Sequence, residues 1–294
     1  MKLKLLFGLL ILLTASTSAA GLGSIFGQDD SGNAALVQLS GSITPTSSGF
    51  GAQGLTPEAV RTINQEVSAG EYDAVIYEIN SGGGAVVASK EIKRSIESME
   101  IPTVCRFRDI SASGAYLIAT GCDRIVADSA TITGSVGVTS SYLEYSGTLN
   151  KLGIDYVNVT AGEYKEVGSM YTNATDEEKK ILKDMALDIQ DEFVGLVDEN
   201  RNLTESQLSE VQTAKLFLGD EAKNLSLVDK LGGRQTSLTT AEELTDKDLQ
   251  IRKVQSRQSP SLLSLFLSET GISQVMSNIG VGANSNIPLV AEYR

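Results

Sequence analysis

From Ala34 onward the chain alternates short apolar runs with helix-length amphipathic stretches, and three of the apolar runs lead into clusters of glycine and serine. Strand–helix alternation of this kind is the mark of an α/β layered fold. The first strand reads Ala35 to Leu39 and enters a turn at Ser40-Gly41. Pro57 to Val67 reads as a helix, with a Thr56 cap, proline at the first helical position and apolar residues at 59, 60, 63 and 67. A second strand covers Ala74 to Ile79, and a helix follows to about Met99. Then come a strand at Thr103 to Phe107, a short helix from Ser113 to Thr120 and a strand at Arg124 to Ala127. The alternation at Asp155-Tyr156-Val157-Asn158-Val159 predicts one more strand. After Thr175 the spacing predicts a long helix, with Thr175 and Glu178 as a capping box and apolar residues at 181, 185, 189, 193 and 196.

The chemistry open to such a chain is narrowed by one absence: among 294 residues there is no histidine. Ser-His-Asp and Cys-His machinery, the usual histidine zinc site and histidine-held haem are excluded. Acid–base work falls to carboxylates, Lys, Tyr, Cys or a cofactor. With 24 Lys and Arg against 37 Asp and Glu, the net charge of −13 argues against a nucleic-acid binder, whose affinity rests on clustered cations.

The two ends depart from the pattern. Lys2 and Lys4 precede an uncharged stretch from Leu5 to Gln28 with an apolar heart at Leu5 to Leu13, which resembles an export signal. Ser18-Ala19-Ala20 suits a cleavage enzyme, yet the run is also long enough for a retained anchor, and both readings of 1–28 stay open. In either case the lysines favour a cytoplasmic N-terminus and place the rest of the chain outside. Cys105 and Cys122 are permitted a bridge there, the alternative being two buried thiols. At the other end, 256–294 forms a tail whose apolar residues between Leu262 and Ile279 recur at near-helical spacing. It closes on an extended apolar segment, Ile287 to Arg294, which can lie in a substrate groove or be a plain chain terminus.

The clusters are Asn80-Ser81-Gly82-Gly83-Gly84, Ser111-Ala112-Ser113-Gly114-Ala115-Tyr116 and Thr133-Gly134-Ser135-Val136-Gly137. Glycine-rich strand ends that lead into helices expose backbone N–H groups beside a positive helix terminus, although each cluster alone also reads as a tight turn. No Gly-x-x-x-x-Gly-Lys-Ser/Thr run is present, and no Gly-x-Gly-x-x-Gly directly follows the first strand. Taken with the missing histidine, the clusters suggest a serine hydrolase whose base is lysine. Ser113-Gly114 fits the nucleophile, presenting Oγ while the next N–H faces a developing oxyanion, and Ser111 reads as the cap of that helix.

These clusters, together with Asp123 to Ala127, Thr131 to Val138, Ala161-Gly162-Glu163-Tyr164-Lys165 and Leu227-Val228-Asp229-Lys230-Leu231-Gly232, resemble in order the motifs of the SppA signal peptide peptidases. The similarity runs from about Ala35 to Gly233. It implies a ClpP/crotonase-like fold over 34–255, with repeated ββα units, layered sheets and flanking helices. It also implies a Ser–Lys dyad, with Ser113 as nucleophile, Lys165 as general base and Ser135 hydrogen-bonded to the lysine amine. The N–H groups of Gly83, Gly84 and Gly114 would form the oxyanion hole. A lysine must be neutral to accept a proton, and burial is what favours that form. Further implications are apolar, small-residue-rich peptide substrates such as remnant signal peptides, membrane association through the N-terminal segment and a homo-oligomer whose interfaces complete the groove. The resemblance calls for no cofactor or metal. Gly82, Ala85, Ala115 and Ser226 depart from the usual Pro, Gly, Gly and Gly. The alternatives are a stomatin-linked membrane protease, a crotonase-like acyl-CoA enzyme and an inactive scaffold.

Overall fold

The computed structural model describes residues 31–46 and 54–254. The expectations for the N-terminal segment and the C-terminal tail fall outside the described residues.

Three strands that are buried over most of their length carry the fold: β1 (Gly32–Ser40), β2 (Ala74–Ser81) and β3 (Thr103–Ala112). Such strands are buried on both faces, which is the condition of a parallel sheet covered by helices. They pair in parallel, Ala35 with Val75 and Val75 with Thr103, and β8 (Leu249–Lys253) adds a further parallel edge beside β1. β3 is longer than its sequence pattern predicts, and its two halves serve different neighbours. Val104–Arg106 pairs with β4 (Arg124–Ala127), whereas Ile110–Ala112 pairs with β5 (Ile132–Gly134). The sheet thus splits along β3. β6 (Leu216–Leu218) closes the β5 side antiparallel, and the short β7 (Lys230–Leu231) pairs with β4.

One face of the sheet, presenting Val37, Tyr77 and Phe107, is covered by α1 (Pro57–Ser68), α2 (Val86–Glu97), α3 (Gly114–Ala119) and α5 (Asp176–Arg201). Thr56 caps α1 by accepting the Ala59 N–H at 3.2 Å, as its sequence predicts. The capping box of α5 is complete, with Glu178 N–H donating to Thr175 Oγ1 at 3.2 Å and Thr175 N–H to Glu178 Oε2 at 2.8 Å. On the opposite face Leu36, Ile76 and Val104 pack under α8 (Arg234–Thr245). The remaining helices are α4 (Ser146–Leu152), α6 (Glu205–Val211) and α7 (Gly219–Asn224). The mixed α/β sheet with helices on both faces is the class expected from the strand–helix alternation.

Two readings need correction, and one left open is decided. Asp155 to Val159 is not a strand: the whole stretch is exposed and unpaired, with Val157 at 82% and Val159 at 93% exposure. Alternation supplies a face, but a strand also needs a neighbouring ladder, and no sheet edge is offered there. Ser111 is not a helix cap, since it is the penultimate residue of β3 and fully buried, with Oγ unpartnered. The two cysteines are not free thiols. Cys105 and Cys122 form a disulfide, with Cα atoms 5.8 Å apart, that ties β3 to the segment after α3.

The α8 face contains one buried carboxylate. Glu78, 1% exposed, accepts from Arg106 Nη1 at 2.7 Å, from Arg234 Nε at 2.9 Å and Nη2 at 2.8 Å, and from Gln38 Nε2 at 3.4 Å, so it links three strands and a helix. Burial alone would raise this carboxyl, but Arg234, Arg106 and Gln38 together outweigh it and hold Glu78 below the ordinary glutamate range. A depressed carboxylate stabilises the fold fully above the pH where glutamate titrates in the unfolded chain, about 4.3. That contribution is lost as pH falls through the lower folded value. Glu78→Gln is expected to cost about 3 kcal/mol near neutrality, as breaking a buried pair does. The gap from wild type should narrow in acid. Denaturant titrations of both proteins at about pH 7 and about pH 3 check this, and an equal gap at both would contradict it.

Candidate active site

β2 ends in Ser81, and the chain turns through Gly82-Gly83-Gly84 into α2. The turn is held against Ile43, whose N–H donates to Gly83 O at 3.0 Å and whose carbonyl accepts from Ala85 N–H at 2.9 Å. Gly84 has φ +154°, and a β-carbon there would stand 2.1 Å from Ile43 O. Gly83, at φ +99°, leaves no room either: its β-carbon would lie 2.9 Å from Ser113 Cβ and 2.8 Å from Gly114 N. Gly83 N–H is already given to Ser81 Oγ at 3.1 Å. Of the two glycines, therefore, Gly84 has the N–H to offer, and Gly83 provides the close approach to Ser113.

β3 carries the chain to Ser113, which sits between strand and helix at φ 54° and ψ −128°. A non-glycine residue in this region stores about 1–3 kcal/mol of strain and persists only where its surroundings impose it. Here they do. Ser113 N–H donates to Gly134 O at 2.8 Å, Thr133 Oγ1 donates to Ser111 O at 2.6 Å, and Leu117 N–H closes the first turn of α3 onto Ser113 O at 3.0 Å. Ser113 makes no side-chain cap bond, and among the described residues its Oγ has no partner. Gly114 must lack a β-carbon because one would lie 2.3 Å from Ser89 Oγ and 3.4 Å from Gly84 N. This places the backbones of Gly84 and Gly114 side by side next to Ser113.

α3 is anchored from behind. Tyr116 is fully buried, edge-on to Phe107, and its hydroxyl donates to Leu227 O at 3.0 Å. Leu227 and Val228 are buried in turn, and Asp229 accepts Ile125 N–H at 2.7 Å and both Arg201 Nη1 and Nη2, at 3.0 and 2.9 Å. Arg201 terminates α5, so the Leu-Val-Asp segment joins the helix behind the serine to the longest helix of the fold. None of these partners was visible as a pair in the sequence. Tyr116, Ile125 and the Leu227–Asp229 segment lay in three separate motifs, and Arg201 lay in none of them.

The third cluster arrives on β5. Ser135 is half-buried at φ 53°, and its N–H donates to Lys215 O at 2.8 Å, which fixes the turn beside Ser113 through Gly134. Lys165 stands apart. It is exposed, within a stretch without strand or helix after Gly153, and among the described residues its side chain has no partner. The structure thus assembles Ser113, Gly114, Gly83, Gly84 and the Ser135 turn, and does not bring Lys165 to them.

A cavity of about 220 Å³ opens beside Ser113, between α2, α3 and α5. Val86, Leu117, Val138, Ile189, Phe193 and Leu196 give it an apolar lining. It also contains an ion pair between Lys90 on α2 and Glu192 on α5. The i, i+3/i+4 spacing of Ile189, Phe193 and Leu196 reads in the sequence as a helix face, but not as one that faces a cavity.

The sequence pattern of peptidase family S49 matches residues 95–248. A chain from Synechocystis sp. that bears a protease name is 32% identical over 230 residues, which is 77% of this chain and 83% of that one. A similarly named chain of Methanocaldococcus jannaschii is 35% identical over 174 residues, 58% of this chain and 56% of the relative. An Enterococcus faecium chain, whose name is that of the signal peptide peptidase SppA, is 34% identical over 178 residues, 58% of this chain and 52% of the relative. The matched region thus spans about half the length of these last two relatives.

The backbone at Ser113 gives a stability test that is independent of activity. Both Ser113→Gly and Ser113→Ala remove the hydroxyl, but only glycine tolerates φ 54° without strain. The glycine variant is expected to be the more stable by about 1 kcal/mol in denaturant titration. Equal or lower stability would mean that Ser113 is not held in this conformation.

Proposed function

Since the chain belongs to peptidase family S49, we propose that it is a serine endopeptidase in which Ser113 attacks the peptide carbonyl and the N–H groups of Gly84 and Gly114 receive the oxyanion. The observation that carries this reading is a serine with strained backbone and free Oγ, set beside two glycine amides at the mouth of an apolar cavity. In this mechanism Lys165 is the general base and Ser135 orients its amine. Ser113 Oγ bonds to the carbonyl carbon as its proton passes to the lysine, the tetrahedral intermediate collapses with that proton leaving on the amine product, and water repeats the sequence on the acyl-enzyme.

Lys165 is exposed, and a neutral lysine needs a drier setting. What supports a closing step is the surface around it. Leu143, Ile154, Tyr156, Val157, Val159 and Tyr171 are all exposed, and they crowd one stretch of chain about the lysine. Patches of this kind mark interaction surfaces. We infer that a second copy of the chain seats on this stretch and completes the groove, so that the working form is a homo-oligomer.

The apolar cavity suits peptides with apolar or small side chains, and remnant signal peptides are the natural substrate class, consistent with the name of the Enterococcus relative. Among the described residues no helix is long and apolar enough to cross a membrane. A location outside the cytoplasm, with the chain exported or tethered by its N-terminal segment, is supported by the lysines and apolar run of that segment and by the Cys105–Cys122 disulfide, a bond of oxidising compartments.

Ser113→Ala and Lys165→Ala are each expected to reduce turnover of an apolar peptide by at least about a thousandfold without a change in melting. Ser135→Ala is expected to lose less. The wild-type rate should climb on the alkaline side as the base loses its proton. A profile whose only ionisation lies near pH 4–5, the range of carboxylates, would overturn the Ser–Lys mechanism.

A further inference from the structure

The cavity next to Ser113 carries charge at one place. Lys90 lies one helical turn beyond Val86 on α2, and Glu192 lies next to Phe193 on α5; they meet across the cavity as an ion pair and are, among the described residues, the only charged side chains that line it. The pair is asymmetric, with the lysine side chain 20% exposed and the glutamate 52%. A lysine so far withdrawn from water beside Ser89, Leu117 and Leu196 is not there to solubilise a surface.

We propose that Lys90 and Glu192 determine which charge the cavity accepts on the substrate residue just before the cleaved bond. This rests on the reading of Ser113 as nucleophile, because the side chain of that residue is the one carried into a cavity bordered by Ser113, Gly84 and Gly114. Paired, the two charges satisfy each other and present a neutral wall. An apolar side chain enters at no electrostatic cost, whereas a charged one must leave water and finds its only counter-charge already engaged. Unpaired, either residue becomes a counter-charge in waiting. Loss of Glu192 leaves an ammonium that favours an acidic substrate side chain and repels a basic one, and loss of Lys90 leaves a carboxylate with the opposite preference. The wild-type selectivity for uncharged residues is in this view a product of mutual neutralisation, not of apolar lining alone.

The test uses three fluorogenic peptides identical except for Leu, Glu or Lys before the cleaved bond, and compares kcat/KM ratios. The wild type is expected to prefer Leu over both charged residues. Glu192→Gln should raise the Glu-to-Leu ratio by at least about fivefold, and Lys90→Gln should raise the Lys-to-Leu ratio by a similar factor. The reversed pair Lys90→Glu/Glu192→Lys should return both ratios to wild-type values. If Lys90→Gln does not fold, Glu192→Lys reads the same preference from the half-exposed side, with a larger rise for Glu than Glu192→Gln gives. A pair that only staples α2 to α5 would lower kcat/KM for all three peptides by one common factor, and unchanged ratios in an active enzyme would overturn the proposal. A wild type that cleaves none of the peptides would instead remove the peptidase reading, and this inference with it.

Discussion

Two strand ends meet at Ser113 because no β-carbon stands between them. Gly83, Gly84 and Gly114 each occupy a place where a side chain would collide with backbone or a buried hydroxyl, at 2.1 to 2.9 Å. Close approach is what allows the backbone at the end of β2 and the backbone at the start of α3 to stand beside a single serine. The glycines therefore do more than permit turns. They set the spacing between two polypeptide segments that are distant in sequence and come from different strands.

That spacing needs a rigid background, since the serine itself is strained. The sheet provides it by dividing. β3 runs past β4 and pairs with β5, so the Ser113 turn is fixed on one side by Gly134 and on the other by the β2 turn, and α3 is pinned from behind through Tyr116 and Leu227. The Arg201–Asp229 pair extends this anchorage to α5, and α5 forms a wall of the cavity. The cavity and the Ser113 turn thus share supports. The strain at one residue is sustained by hydrogen bonds and packing contributed by six elements.

Much of this was legible in the sequence. The strands at 35–39, 74–79 and 124–127, the Thr56 cap and the Thr175/Glu178 box follow from local rules, and each appears where those rules place it. The three small-residue clusters were visible as separate turns, but their convergence was not, because it depends on strand order in the sheet. The stretch from Asp155 to Val159 misled for a related reason: alternation is a property of the chain alone, and pairing is a property of its neighbours. Ser113 was set apart from Ser111 in the sequence by the glycine that follows it, but the place of Ser111 was not legible, since it ends buried in a strand while Ser113 opens the helix with its hydroxyl free. Lys165 shows the opposite limit. Its motif marked it in the sequence, yet one copy of the chain leaves it exposed and unpartnered among the described residues. The Lys90–Glu192 pair had no sequence signal, as its members are joined only by the packing of α2 against α5.

We propose that Ser113, and not its neighbours in the same clusters, carries the reactive oxygen. Treatment of the folded protein with a fluorophosphonate, followed by peptide mapping of the adduct, tests it without any assumption about substrate. The account predicts one adduct per chain, on Ser113 Oγ, with none on Ser111 or Ser135. An adduct on either of those serines, or a protein that remains unlabelled, would contradict it.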